Sequence, residues 1–332
     1  MTALRTAAGC LAALAFASAA QAASGYHVVD RIGGPDGRWD YVRVDKANNR
    51  VLVTHGSNVM AIDLATRAVS SFAPGQILHD AMPVNGGSEV LVTNGGTATA
   101  VFVNAKTGAT VATVETGKGP DAAAFDPKTG LVLVMDHAGG EVTLVDPKAH
   151  KAVGTISVGG DMEAAAVDGA GRAFVNVEDK NQIAVIDIAQ KKVLARYPLA
   201  GCDGPTGIVY DAADRLLIAA CDGTTVVVDP KSGKVVQTLA TGKGADGIAF
   251  DAKQKLAFVP AGRAGTLSVI SFASGKGVIV DTVPTQVGAR TIALDERTGR
   301  LYLPTARFGA PAMPGGRPTV EPGSFQVLVV GK

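Results

Sequence analysis

Ala123-Ala124-Phe125-Asp126-Pro127-Lys128-Thr129-Gly130-Leu131-Val132-Leu133-Val134, followed by Val142-Thr143-Leu144-Val145-Asp146-Pro147-Lys148, is one copy of a pattern that fills the chain. Short apolar runs, each ended by a cluster of turn residues, read as β-strands joined by hairpins. The polar residue closing the first apolar run of each copy serves as a marker. The markers are Asp45, Asn85, Asp126, Asp168, Asp211, Asp251 and Asp295, with gaps of 40, 41, 42, 43, 40 and 44 residues. A period of this length, with four short strands per copy, specifies one four-stranded blade per repeat. The fold class is therefore all-β, a single seven-bladed β-propeller. Within the turns, Asp126 to Gly130 and Asp229-Pro230-Lys231-Ser232-Gly233 place Pro where its fixed φ suits a type I turn. They place Gly where the chain needs positive φ to rejoin the ladder, and the Asp residues of these turns read as turn formers.

The two ends of the repeat array complete each other. The last copy reaches only a third-strand pattern, Phe325 to Val330, while Tyr26 to Ile32 has the alternation of an unpaired strand. The N-terminal strand is expected to complete the last blade, which hides two edges that would otherwise pair with other chains; a monomer is the corresponding expectation. The Gly/Pro-rich stretch 310–323 interrupts the last blade between its second and third strands and is the largest insertion.

Residues 1–22 stand outside the repeats. Arg5 precedes an apolar run of small residues from Ala7 to Ala20, and Ala20-Gln21-Ala22 has the small-x-small form of a signal peptidase site,. A cleaved signal peptide is expected at 1–22, with 23–332 as the mature propeller, placed in the periplasm or secreted. The apolar run is shorter than the ~20 residues of a membrane span, and no later segment approaches one. Cys10 precedes most of that run, so lipid attachment there is not expected.

The whole chain carries 31 Lys and Arg against 30 Asp and Glu. Loss of the leader removes Arg5 and leaves the mature chain neutral. Proteins that grip phosphate backbones concentrate a basic excess on one face, so nucleic acid is the less favoured partner. Cys202 and Cys221 flank the Asp211-Ala212-Ala213-Asp214 turn almost symmetrically, which makes them candidates for a disulfide in an oxidising compartment; two buried free thiols is the alternative.

The strings Arg50-Val51-Leu52-Val53-Thr54, Leu131-Val132-Leu133-Val134, Arg300-Leu301-Tyr302-Leu303-Pro304 and the ending Val226-Val227-Val228-Asp229 resemble YVTN-type repeats. From Tyr26 to Lys332 the chain resembles the YncE-like periplasmic seven-bladed propellers. The resemblance implies the fold and an exported location. It leaves function open, because such propellers include a single-stranded DNA binder and relatives of enzymes.

In a propeller, the loop leading into each inner strand and the loop leaving the second strand open on the same face, around the central channel. Five residues before each marker stand Asp40, Asp80, Asp121, Glu163, Thr206, Asp246 and Arg290. A ring rich in carboxylates at the channel mouth raises the pKa of its members unless a cation sits among them. The second-strand exits add His55, Asp136, His137, Glu178, Asp179 and Arg307, and His79 stands beside Asp80. Imidazole and carboxylate together form a ligand set for a divalent metal ion, with His55, His79, His137 and Glu178 as candidates. Capping of loop amides by repeated Asp residues is the competing reading of the ring. Trp39, the only tryptophan, stands at the same rim as a stacking face or a packing residue.

No nucleophile–base pair stands at readable spacing, nor does a phosphate-cradling loop or a haem attachment motif. The favoured reading is an exported, non-catalytic propeller whose channel face, with the 310–323 insertion, binds a small molecule or a protein partner. The alternatives are a metal-dependent lyase or lactone hydrolase working from the His/Asp/Glu rim, and single-stranded DNA binding.

Overall fold

The computed structural model describes residues 24–311 and 318–332; the expected signal peptide at 1–22 and the middle of the 310–323 stretch lie outside them. Seven four-stranded antiparallel sheets form the blades of a closed propeller. In the first blade the strands are Val42–Asp45, Arg50–His55, Asn58–Asp63 and Val69–Pro74. The innermost strands of successive blades are Val42–Asp45, Leu78–Val84, Pro120–Asp126, Met162–Val167, Ile208–Asp211, Ala249–Asp251 and Ala293–Asp295. Each packs against the next, and the seventh meets the first.

Ring closure follows the expected route. The last blade runs Ala293–Asp295, Arg300–Thr305, Gln326–Gly331, and its outer strand is His27–Gly33 from the other end of the chain. His27 lies opposite Gly331 and Gly33 opposite Gln326, with a bulge between Val28 and Asp30.

Alternation along each strand turns one set of side chains toward each neighbouring blade. The result is seven apolar clusters, one at each junction between blades. Phe102, Phe174 and Phe258 are fully buried in three of them. At the junction of the fifth and sixth blades the inner strands come closer than side chains allow. A Cβ on Gly207 would lie 2.6 Å from the carbonyl carbon of Gly247, so only glycine fits.

The turn aspartates act as the sequence predicts. Asp126 accepts hydrogen bonds from the amide and hydroxyl of Thr129, and Asp251 from the amides of Lys253 and Gln254. Cys202 and Cys221 are joined, with their Cα atoms 5.4 Å apart. The bridge ties the approach to the fifth blade's inner strand to the end of its second strand.

One marker falls a residue late. In the second blade Val84 lies opposite Glu89, as Asp45 lies opposite Arg50 and Asp126 opposite Leu131. Asn85 instead opens the turn with φ 51°, and its amide bonds Glu89 and the carbonyl of Pro147. Asn tolerates this left-handed conformation because its short polar side chain bonds locally.

Candidate functional site

Shifting the second blade by that one residue puts His79, not Asp80, in the ring. The channel mouth is then lined by Asp40, His79, Asp121, Glu163, Thr206, Asp246 and Arg290. Main-chain contacts between blades hold these positions. The Tyr41 amide donates to the His79 carbonyl at 3.1 Å, that of Ala164 to Thr206 at 3.3 Å and that of Asp246 to Arg290 at 3.1 Å. The Thr291 hydroxyl closes the circle on the Asp40 carbonyl at 2.9 Å. The backbone carrying these ring positions is thus tied between the first and second, fourth and fifth, sixth and seventh, and seventh and first blades.

The side chains make a nearly continuous chain of contacts. Nδ1 of His79 is 2.6 Å from Asp40 and 3.4 Å from Asp121. His137, from the exit of the third blade's second strand, places Nδ1 3.2 Å from Glu163 and 3.1 Å from the Met162 carbonyl. Arg290 meets Asp246 at 2.6 Å and Asp40 at 3.7 Å. The Thr206 hydroxyl donates to the Ala245 carbonyl.

Asp80 has a different position. It is buried, binds Arg43 through both oxygens at 2.9 and 2.5 Å, and accepts the amides of Ala81 and Ala123. Arg43 also donates to the Ala123 carbonyl, so this pair ties the first three blades together inside the channel. Tyr41, one residue beyond ring position Asp40, packs against the cluster formed by the third and fourth blades. Four of the other six blades carry Ala122, Ala164, Gly207 or Gly247 at that position, the remaining two Asp80 and Thr291, and the small residues leave room for the phenol.

The remaining candidates separate. His55 is buried edge-on to Phe325 with ring centroids 4.5 Å apart, and burial pushes its pKa down. Trp39 is buried between Phe325 and Phe308, with Arg290 over its ring; it supports the rim from below. Arg307 pairs with Glu321 across the base of the insertion. Glu178, in a 3-10 turn, sits close enough to Glu163 for the two carboxyls to share a hydrogen bond.

The insertion folds onto this face. Phe308–Pro311 and Pro318–Val320 form a two-stranded hairpin. Phe308 and Pro318 line a cavity of about 620 Å³ whose other walls include ring residues Thr206, Asp246 and Arg290 together with Glu178, Asp222 and Arg263.

Crowded carboxylates perturb one another. Burial pushes Asp121 well above the usual carboxylate range, and the charges of Asp40, Glu163 and Asp246 push it further. Asp246 rises to about 8 through burial and then Asp40, against the pull of Arg290. His137 rises to about 9 because Glu163 bonds its charged form. Tyr41, sealed by burial and facing Asp121 and Glu163, titrates well above 10. Glu178 is raised by burial and then by Glu163.

A raised carboxyl keeps in the fold a proton that the unfolded chain releases above its ordinary pKa. Stability is then greatest at acid pH and declines as pH climbs through the folded-state value. Asp121→Asn is expected to flatten this decline and to raise the melting temperature at pH 8 by roughly 2–4 °C, about 1 kcal/mol. Calorimetric scans at pH 5 and pH 8 check it, and a fall at both would identify Asp121 as a loop cap.

No protein-family model and no curated protein matches this sequence. Solved structures do match. A chain of the "Crystal Structure of Mitotic Checkpoint Complex" is 14% identical, with a TM-score of 0.74 over 91% of this chain and 95% of that one. A chain of Kuenenia stuttgartiensis hydrazine synthase is 15% identical, with a TM-score of 0.71 over 90% of this chain and 98% of that one. At such identity the likeness speaks for the fold alone, and with the seven sheets above it makes this chain a seven-bladed β-propeller.

Proposed function

We propose that this chain is an exported, YncE-like propeller that binds a small polar ligand bearing both positive and negative groups on its channel face. The cavity of about 620 Å³ between the ring and the hairpin carries the reading, since its volume falls in the range of small-molecule sites. Its walls alternate acid and base, with Asp246 against Arg290 and Asp222 against Arg263. Phe308 adds an apolar plate. Such a wall complements a zwitterion better than a polyanion, and the acidic mouth opposes a nucleic acid backbone.

Export is supported by the leader pattern at residues 1–22 and by the Cys202–Cys221 disulfide, a bond that persists in oxidising compartments,. The pairing of both chain ends in one blade supports a monomer. Amino acids, dipeptides and betaines screened by thermal shift are the first test. A true ligand should raise the melting temperature and lose about tenfold in affinity, roughly 1.4 kcal/mol, in both Arg263→Ala and Phe308→Ala. Arg263 is two-thirds exposed, so its loss spares the fold. Hits indifferent to both substitutions would place binding elsewhere and end this reading.

A further inference from the structure

We propose that the channel mouth is a divalent-cation centre in which Asp121 joins two ligand triads, Asp40–His79–Asp121 and Asp121–His137–Glu163. Within each triad the ligand atoms lie within 4.8 Å of one another. The separations of 2.6, 3.4 and 3.2 Å given above are close to the edges of a coordination polyhedron with metal–ligand bonds of about 2.1 Å. Two imidazoles with three carboxylates suit Zn²⁺ or Mn²⁺. The Tyr41–His79 main-chain bond fixes the first and second blades against each other at the first triad.

A second observation, the Tyr41 hydroxyl outside the triads, points to a ligand as well. The Tyr41 hydroxyl and Oδ1 of Asp121 are both sealed from solvent without a hydrogen bond, the latter with His79 Nδ1 3.4 Å away. An orphaned buried polar atom costs about 1–3 kcal/mol, and two in one mouth is an unsatisfied arrangement that a cation with its bound water would complete. Capping does not account for it, since a cap would use that Asp121 oxygen to accept a loop amide. The sequence reading placed metal candidates at His55, His79, His137 and Glu178. The centre proposed here keeps the second and third and recruits Asp40, Asp121 and Glu163 instead.

This centre goes beyond the ligand-binding reading and does not rest on it: cation binding is measured without any organic ligand. The mature protein, purified without chelator, is assayed for metals by mass spectrometry. It is then stripped with EDTA and titrated calorimetrically with Zn²⁺ alone and Mn²⁺ alone. Stoichiometric binding of at least one of them is expected. It should weaken at least tenfold in His79→Ala and, separately, in Glu163→Gln, and vanish in Asp121→Asn. Asp121→Asn is also melted in the cation-free state, where a melting temperature at or above that of the parent separates its loss of binding from unfolding. Absence of stoichiometric binding, or binding that survives Asp121→Asn, would overturn the proposal. Weakening by only one of His79→Ala and Glu163→Gln would overturn the shared centre.

Discussion

A chain lacking residues 23–33 is expected to lose about 5 kcal/mol or more of stability and to associate. The segment supplies the outer strand of the last blade, His27–Gly33, and its deletion bares the edge of Gln326–Gly331. It also withdraws Tyr26 and Ile32, both buried, from the clusters at the two junctions of that blade. Each such side chain contributes about 1.5–3 kcal/mol on burial, before the loss of the ladder. Domains are commonly stable by only 5–15 kcal/mol, so the loss consumes much of the total. The bared edge is a template for strand pairing between molecules. Denaturant midpoints and light scattering after gel filtration read the two effects. A peptide of residues 24–33 added in trans should reverse both by re-forming the strand. An unchanged midpoint with a monomeric mass would mean that the ring is not held at this seam.

Arg290→Ala is expected to cost about 2 kcal/mol, less than the roughly 3–5 kcal/mol of removing one partner from a fully buried pair. Solvent screens part of the effect, since the Arg290 side chain is about one-third exposed and that of Asp246 about a quarter,. Its guanidinium is the only group named above that pulls Asp246 down, and it also faces Asp40 and donates to the Trp39 carbonyl. Without it, Asp40 and Asp246 repel each other across a partly dry mouth. The loss should therefore deepen as pH rises through about 8, where Asp246 ionises. Arg290→Ala combined with Asp246→Ala should recover much of the stability, a coupling that a double-mutant cycle over pH 6–9 measures directly. Additive losses would mean that the pair does not act as a unit.

The fold was legible because a repeat states the same sentence seven times, and an error in one copy leaves six. Hairpin turns such as Asp126 to Gly130 carry their own conformational chemistry, and the closure of the ring follows from counting strands. The site was less legible because its geometry depends on register to a single residue. Asn85 looked like the turn aspartates and ended the strand one residue late, which hid His79 behind Asp80. The signal that separates them is the opposition of Val84 and Glu89, which is a property of pairing and not of composition. Tyr41 was missed for a related reason. It reads as one more strand aromatic until it is aligned with Ala122, Ala164, Gly207 and Gly247, where its bulk stands out. Trp39 and Phe308 meet only because the insertion folds over the mouth, and no local pattern encodes that contact.

Tyr41 and Arg43 both reach out of the first blade, Tyr41 to the cluster of the third and fourth and Arg43 to Asp80 and the Ala123 carbonyl, so this part of the ring is cross-linked through its interior. A separate hollow lined by Phe125, Glu89 and His150 lies on the turn side of the disc. Phe308 and Pro318 stand on the other side, on the wall of the cavity beside Thr206, Asp246 and Arg290. Removing the hairpin strands Phe308–Pro311 and Pro318–Val320 would strip that wall, so occupancy of the cavity would fall while the cross-linked ring behind it kept its shape.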